Sequence, residues 1–142
     1  AKHLYKSPCV VIDFGTGTTF DVLDEKGIYV GGIIASGVHL SLEALHRVSA
    51  KLPNIDIKRP DKVCANDTVS AMQSGIFYGY LSMIDGLVQR LEAERGAFSA
   101  VIATGGLAPL FAQDSQTITE VNGDLTLTGL RLAYERNKPL FT

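Results

Sequence analysis

The sequence predicts an α/β domain in a single lobe, with helices layered on a mixed sheet that opens with three antiparallel strands. Three observations carry this expectation. A short apolar run, CVVIDF, is bounded by Pro8 and Gly15 and followed by two more strand-like stretches joined by turn residues. After Gly37 the apolar period lengthens from two residues to between three and four. A later apolar run, SAVIATGG, feeds two glycines and then a short helical segment, the alternation typical of helices packed on a sheet.

Element by element, CVVIDF suits a buried strand. TTFDVLD alternates, with Phe20, Val22 and Asp24 on one side and Asp21 and Leu23 on the other. Glu25-Lys26-Gly27 supplies a turn, and IYVGGIIA is the third strand of a meander. Val38, Leu42, Leu45 and Val48 recur on one face of a helix that should end before Pro53. KLPNIDIKRPDKV holds two prolines and mixed charge and reads as a loop. Asn66, Asp67 or Thr68 can cap a long helix in which Val69, Met72, Ile76, Tyr80, Met83, Leu87 and Leu91 step by three or four, and Gly96 stops it. Gly75 and Gly79 bare the backbone along one side of this helix, suited either to packing within the lobe or to a partner helix. A short helix near Leu107 to Ala112, an edge strand at TITEV and a closing amphipathic helix from Leu125 to Arg136, with Leu127, Leu130 and Tyr134 in step, complete the order.

The chain has 142 residues, one domain's worth, and its 46% hydrophobic and 20% charged content fits a globular core rather than disorder. A formal charge of -2 argues against a broad basic face for nucleic acid or a membrane surface. Backbone N–H groups could still hold an anion locally. Cys9 and Cys64 have neither CxxC spacing nor a nearby His pair, so reduced core thiols are expected rather than a zinc or redox site. No apolar run reaches the roughly 20 residues of a membrane span. AKHLYKSPC lacks the apolar centre of a signal peptide, which makes a cytoplasmic location the expectation.

The stretch DFGTGTT, Asp13 to Thr19, concentrates small hydroxyl and backbone donors beside one carboxylate. It is not the kinase DFG, because no HRD-type loop stands upstream. Nor is it a dinucleotide fingerprint, because Phe20 takes the third glycine position and a strand follows. Residue types then leave two readings. Either the turn presents N–H groups and the Thr16 and Thr18 hydroxyls to phosphate while Asp13 holds a cation, or it is a structural turn. Thr104-Gly105-Gly106, where a strand meets a helix, likewise suits close approach of a ligand or simple packing. His39, Glu43 and His46 share one helix side but lack a further ligand, and a solvated flank accounts for them better than a metal. No Ser/His/Asp or Cys/His arrangement can be assembled.

Taken in order and over nearly the whole chain, DFGTGTT, GIYVGGIIASG, SLEALHRVSAKLP, NDTVSAMQSGIFYGY, VIATGGLA and LTLTGL resemble segments of type III pantothenate kinases. These enzymes belong to the acetate and sugar kinase, heat-shock ATPase and actin superfamily. The resemblance implies two RNase H-like lobes with ATP between them, residues 1–142 corresponding to the C-terminal lobe. The family's first lobe brings a DxGNT phosphate motif and a GxDR motif carrying the general base, and neither stands in this sequence. No catalytic residue is therefore expected here, and activity is expected only with an N-terminal lobe, whether a separate subunit or a missing portion. The implied reaction is ATP-dependent phosphorylation of pantothenate to 4'-phosphopantothenate, the first step of coenzyme A biosynthesis. The alternatives are a non-catalytic binding or regulatory lobe of the same fold, or a kinase of the superfamily with another acceptor.

Residue by residue, the resemblance assigns Asp13 to a potassium or ammonium ion and Thr16 to ATP phosphate, with Gly15 and Thr18 beside it. Gly105 and Gly106 would border adenosine, Thr68 would contact pantothenate, and magnesium would accompany ATP. The chain departs from the family habit at Gly17, where Ala is usual, at Ala35-Ser36, where the second residue is usually Pro, and at Cys64-Ala65, where Gly and a basic residue are frequent. Loss of the proline predicts a less firmly held approach to the first helix. The long helix, with Gly75, Gly79 and Tyr80, is where family members pair as dimers and is the expected association surface.

Overall fold

A computed structural model describes residues 1–49 and 51–138. Its elements, in order, are β1 (Cys9–Phe14), β2 (Gly17–Leu23), β3 (Tyr29–Ser36), α1 (Val38–Val48), α2 (Thr68–Arg95), β4 (Ala100–Gly105), α3 (Ala108–Ala112), β5 (Glu120–Val121) and α4 (Leu125–Asn137). The strands form one mixed sheet in the order β3-β2-β1-β4-β5. β1, β2 and β3 are antiparallel neighbours, as the meander pattern predicts, while β4 lies parallel to both β1 and β5. The expected edge strand pairs only through Glu120 and Val121.

Strand alternation sorts the side chains onto two faces. Val10, Ile12, Phe14, Phe20, Val22, Val101 and Ala103 face α1, α2 and α3 in the main core. Cys9, Ala100 and Ile102 face Leu125 of α4 in a smaller cluster. Phe14 and Phe77 stack on Phe111 from two sides, with ring centroids 5.1 and 5.4 Å away. Burying an aromatic side chain of this size contributes about 1.5–3 kcal/mol, so this stack ties β1, α2 and α3 together.

The helix ends follow from local chemistry. Asp67 caps α2, its carboxylate accepting from the Ser70 N–H at 2.9 Å, and Gly96 ends the helix at φ 89°. Asp24 does not continue the Phe20–Val22 face. Its carboxylate instead accepts from the Lys26 and Ile28 N–H groups and closes the β2–β3 turn.

Several predicted stripes are only partly buried. On α1, Val38 and Leu42 are buried while Leu45 and Val48 are exposed. On α2, Val69 is exposed, and the core takes Phe77, Ile84 and Val88, leaving Met83 and Leu87 at its margin. Met83-Ile84 and Leu87-Val88 are adjacent apolar pairs, so periodicity alone cannot choose between them. Steps of four from Tyr80 select Ile84 and Val88. On α4 only Leu125 is buried, and Leu127, Leu130 and Tyr134 face outward. Cys9 is a core thiol as expected, but Cys64 lies exposed in the loop before α2. Tyr80, expected on an association surface, is turned into the core at 8% exposure. Among the described residues no helix is long and apolar enough to cross a membrane.

Candidate functional site

The turn joining β1 to β2 is very short. Phe14 pairs with Thr18, and the Gly15 N–H donates to the Gly17 carbonyl at 3.1 Å, which leaves Gly15 and Thr16 exposed at the tip. The parallel pairing of β1 and β4 brings Phe14 level with Gly105, so both glycine turns reach the same end of the sheet. Gly105 has φ 91°, and a Cβ there would lie 2.6 Å from the Phe14 carbonyl oxygen. A glycine is required at this position by both conformation and space.

Between these turns lies a cavity of about 480 Å³ lined by Phe14, Gly15, Thr16, Gly106 and Leu107 and, from α1, by His39, Leu40 and Glu43. Its size and its mixture of apolar walls with the Thr16 hydroxyl, backbone groups, the His39 imidazole and the Glu43 carboxylate are those of a small-molecule site. The sequence offers His39 and Glu43, with His46, as a metal triplet or, better, a solvated helix flank. His39 and Glu43 line this cavity, and no group of three or more potential metal ligands occurs among the described residues.

Not all the predicted residues converge here. Gly15, Thr16 and Gly106 do, and Gly105 supports them from behind. Thr18 does not: its side chain is 0% exposed, on the core face with Phe20 and Val22, and its hydroxyl has no hydrogen-bond partner. The signal was available, because Thr18 shares the parity of those two residues in an alternating strand. Its hydroxyl is not offered to the cavity.

Asp13 lies half-buried at the end of β1 on the opposite face from Phe14, paired in register with Thr19 and with the buried Thr104. Asp21 shares this face. Burial and then the nearby negative charge of Asp13 push the Asp21 carboxyl upward, the behaviour of an acid beside a second acid in a partly dry site. Asp13 and Asp21 thus place two carboxylates on one face of the sheet, and Asp21 was missed although it stands two residues along the same strand face from Thr19. No corresponding set for a firmly held divalent ion is present among the described residues.

Thr68 lies apart, exposed at the first position of α2. It neighbours a larger groove, about 580 Å³, lined by residues that include Lys58, Arg59, Lys62, Asp67, Ser70 and Gln73. This groove contains neither glycine turn. The loop that forms it is pinned to α2 by hydrogen bonds from Ser74 to the Val63 carbonyl, from Tyr78 to the Pro60 carbonyl and from Gln73 to the Asp56 carbonyl. Gly75 and Gly79 are exposed on α2, with no atom within 4 Å of a Cβ added at either.

Comparison with known proteins gives these features a context. Residues 1–90 match the model of the family described as type III pantothenate kinase. The protein of that name from Rhodospirillum rubrum is 55% identical over 139 residues, covering 98% of this chain and 54% of the relative. The Paramagnetospirillum magneticum protein of the same name is 55% identical over 137 residues, covering 96% and 53%. The chain thus spans about half the length of the curated relatives it matches. A crystal structure from Campylobacter jejuni, described as a conserved Baf family transcriptional activator, shares the fold at TM-score 0.61 and 22% identity, covering 93% of this chain and 59% of that one. By the family match over residues 1–90 and these sequence identities, the chain belongs to the type III pantothenate kinase family.

Proposed function

We propose that the chain is the C-terminal lobe of a type III pantothenate kinase and forms one wall of an ATP cleft. The observation that carries the reading is the cavity in which Gly15 and Thr16 of one turn face Gly106 and Leu107 of the other. Exposed N–H groups and the Thr16 hydroxyl would meet phosphate oxygens, and the apolar residues beside Gly105 and Gly106 would border adenosine. Asp13 would hold potassium or ammonium, offsetting phosphate charge, with magnesium arriving on the nucleotide. Thr68, beside the larger groove, would contact pantothenate.

Phosphoryl transfer is mostly positioning and charge neutralisation, work shared between two walls of a cleft. The general base would come from the other lobe, and such a base contributes roughly 100-fold to 10,000-fold. The chain alone is therefore inactive in this reading. The open glycine face of α2 at Gly75 and Gly79 favours pairing of two copies along that helix, with Tyr80 excluded from the contact by its burial. A cytoplasmic biosynthetic role follows from the same reading.

The test is reconstitution. The chain is mixed with an N-terminal lobe carrying the DxGNT and GxDR motifs, and ATP-dependent formation of 4'-phosphopantothenate is followed. Product is expected from the mixture and from neither part alone. Absence of product with every such lobe, under conditions where the two parts associate, would overturn the proposal.

A further inference from the structure

The approach to α1 is held by a hydroxyl cluster. Tyr80, eighty residues into the chain and on α2, reaches across to the β3–α1 junction. Its hydroxyl lies 2.5 Å from Ser41 Oγ, 2.9 Å from the Ser36 carbonyl and 3.0 Å from the Gly37 carbonyl. Ser36 Oγ lies 2.9 Å from Ser41 Oγ and 3.2 Å from the Tyr80 hydroxyl. In one assignment each hydroxyl donates its single proton, that of Tyr80 being shared between two acceptors. Ser36 donates to Ser41, Ser41 donates to Tyr80, and Tyr80 donates to the two carbonyls of the junction.

The junction in turn supports the phosphate turn. Gly37, which caps α1 without a side-chain hydrogen bond, sits directly on the tip of the β1–β2 hairpin. A Cβ there would overlap the Thr16 carbonyl oxygen and lie 2.7 Å from the Thr16 carbonyl carbon and 2.8 Å from the Gly15 carbonyl oxygen. The backbone of Gly37 is thus the wall behind Gly15 and Thr16, and a shift of the junction must move the turn or open a gap behind it.

We infer that Tyr80, with Ser36 and Ser41, is a positioning cluster that fixes the Gly15–Thr16 turn for nucleotide. The inference rests on the proposed nucleotide reading and assigns that site a support on α2. A freely rotating side chain at residue 36 would leave the junction loose, as the missing proline predicts. Here the hydroxyl of Ser36 is instead tied to Ser41 and Tyr80, and restraint by hydrogen bonds takes the place of a restrained φ. Tyr80 touches no reacting atom in this scheme. It acts through Gly37 and Thr16.

The experiment compares the chain with Tyr80→Phe, which keeps the ring beside Phe111 and removes only the hydroxyl. Amide hydrogen exchange and calorimetric titration with magnesium and a non-hydrolysable ATP analogue are measured on both. Exchange at Gly15 and at Ser41, whose N–H donates to the Gly37 carbonyl, is expected to rise about tenfold, with the Ile12 and Ile102 amides of the central ladder unchanged. Analogue affinity is expected to fall about tenfold, a loss in the range of one hydrogen bond to a restrained group. Ser41→Ala, which leaves both carbonyl contacts in place, should give the same changes at smaller size and serves if Tyr80→Phe does not fold. Uniform acceleration at all amides, or none at the turn, would overturn the inference whatever the analogue does. A wild-type chain that binds no analogue while the turn responds as expected would refute the nucleotide reading and the positioning role with it.

Discussion

Gly105 sits so close to Phe14 that a Cβ on it would lie 2.6 Å from the Phe14 carbonyl oxygen and 2.9 Å from the carbonyl carbon. The contact joins the two glycine turns at the end of the parallel β1–β4 pair, and it fixes how far apart the walls of the 480 Å³ cavity stand. Gly105→Ala faces both this overlap and a φ of 91°. The conformational part alone costs about 1–3 kcal/mol. A fall in Tm of several degrees is expected in thermal unfolding followed by circular dichroism, and an unchanged Tm would show that the turns are not held this way.

Thr16 and Thr18 should separate cleanly. Thr16 is exposed at the turn, so Thr16→Val leaves stability nearly unchanged and lowers nucleotide affinity by about tenfold, the loss of one hydrogen bond to a charged group. Thr18 is fully buried with an unpartnered hydroxyl, so the isosteric Thr18→Val removes a desolvation penalty of about 1 kcal/mol or more. Thr18→Val is expected to raise Tm and leave nucleotide titration unchanged. The reverse pattern in calorimetry would exchange the roles argued for the two hydroxyls.

What was readable in the sequence, and what was not, follows from the range of the interactions. The order of strands and helices, the Asp67 cap and the Gly96 stop depend on neighbours a few residues away, and local pattern carried them. Gly105 and Phe14 share a ladder that the strand order brings together, so the meeting of DFGTGTT with TGG was legible once both were placed at strand ends. The burial of Thr18 was also legible from period two and was passed over in favour of the motif. The Tyr80–Ser36–Ser41 cluster was not legible, because Tyr80 and Ser36 are 44 residues apart and nothing in either segment shows that the two meet. The outward stripe on α4 misled for a related reason: amphipathic spacing shows that a face is apolar, not that this lobe covers it.

Asp67 gives a pH-dependent test of the start of α2. The backbone hydrogen bond from Ser70 holds its carboxyl below the ordinary aspartate value. A depressed folded pKa means that the cap's contribution is fully present above the unfolded value, about 3.9, and is lost as pH falls through the lower folded value. Asp67→Ala should therefore melt below wild type at pH 7, and the difference should close as the pH falls through the lowered folded-state value. A difference that stays constant down to pH 2 would mean that the carboxylate is not the cap.

The open side of α2 predicts self-association. Gly79→Leu adds a bulky side chain where the lobe itself has nothing within 4 Å, so folding is tolerated while a close helix neighbour is not. Multi-angle light scattering should give a dimer mass for the wild type and a monomer mass for the variant. Equal masses for the two would remove this surface from the account.

The central claim, that Gly15–Thr16 and Gly105–Gly106 form one wall of a nucleotide cleft, is tested most directly by titrating the isotopically labelled chain with magnesium-ATP and following its backbone amide resonances. The account predicts shifts concentrated at Gly15, Thr16, Gly106 and Leu107, with the amides of Lys58, Arg59 and Lys62 in the larger groove unmoved. Shifts centred on that larger groove, or no shift anywhere at millimolar nucleotide, would contradict it.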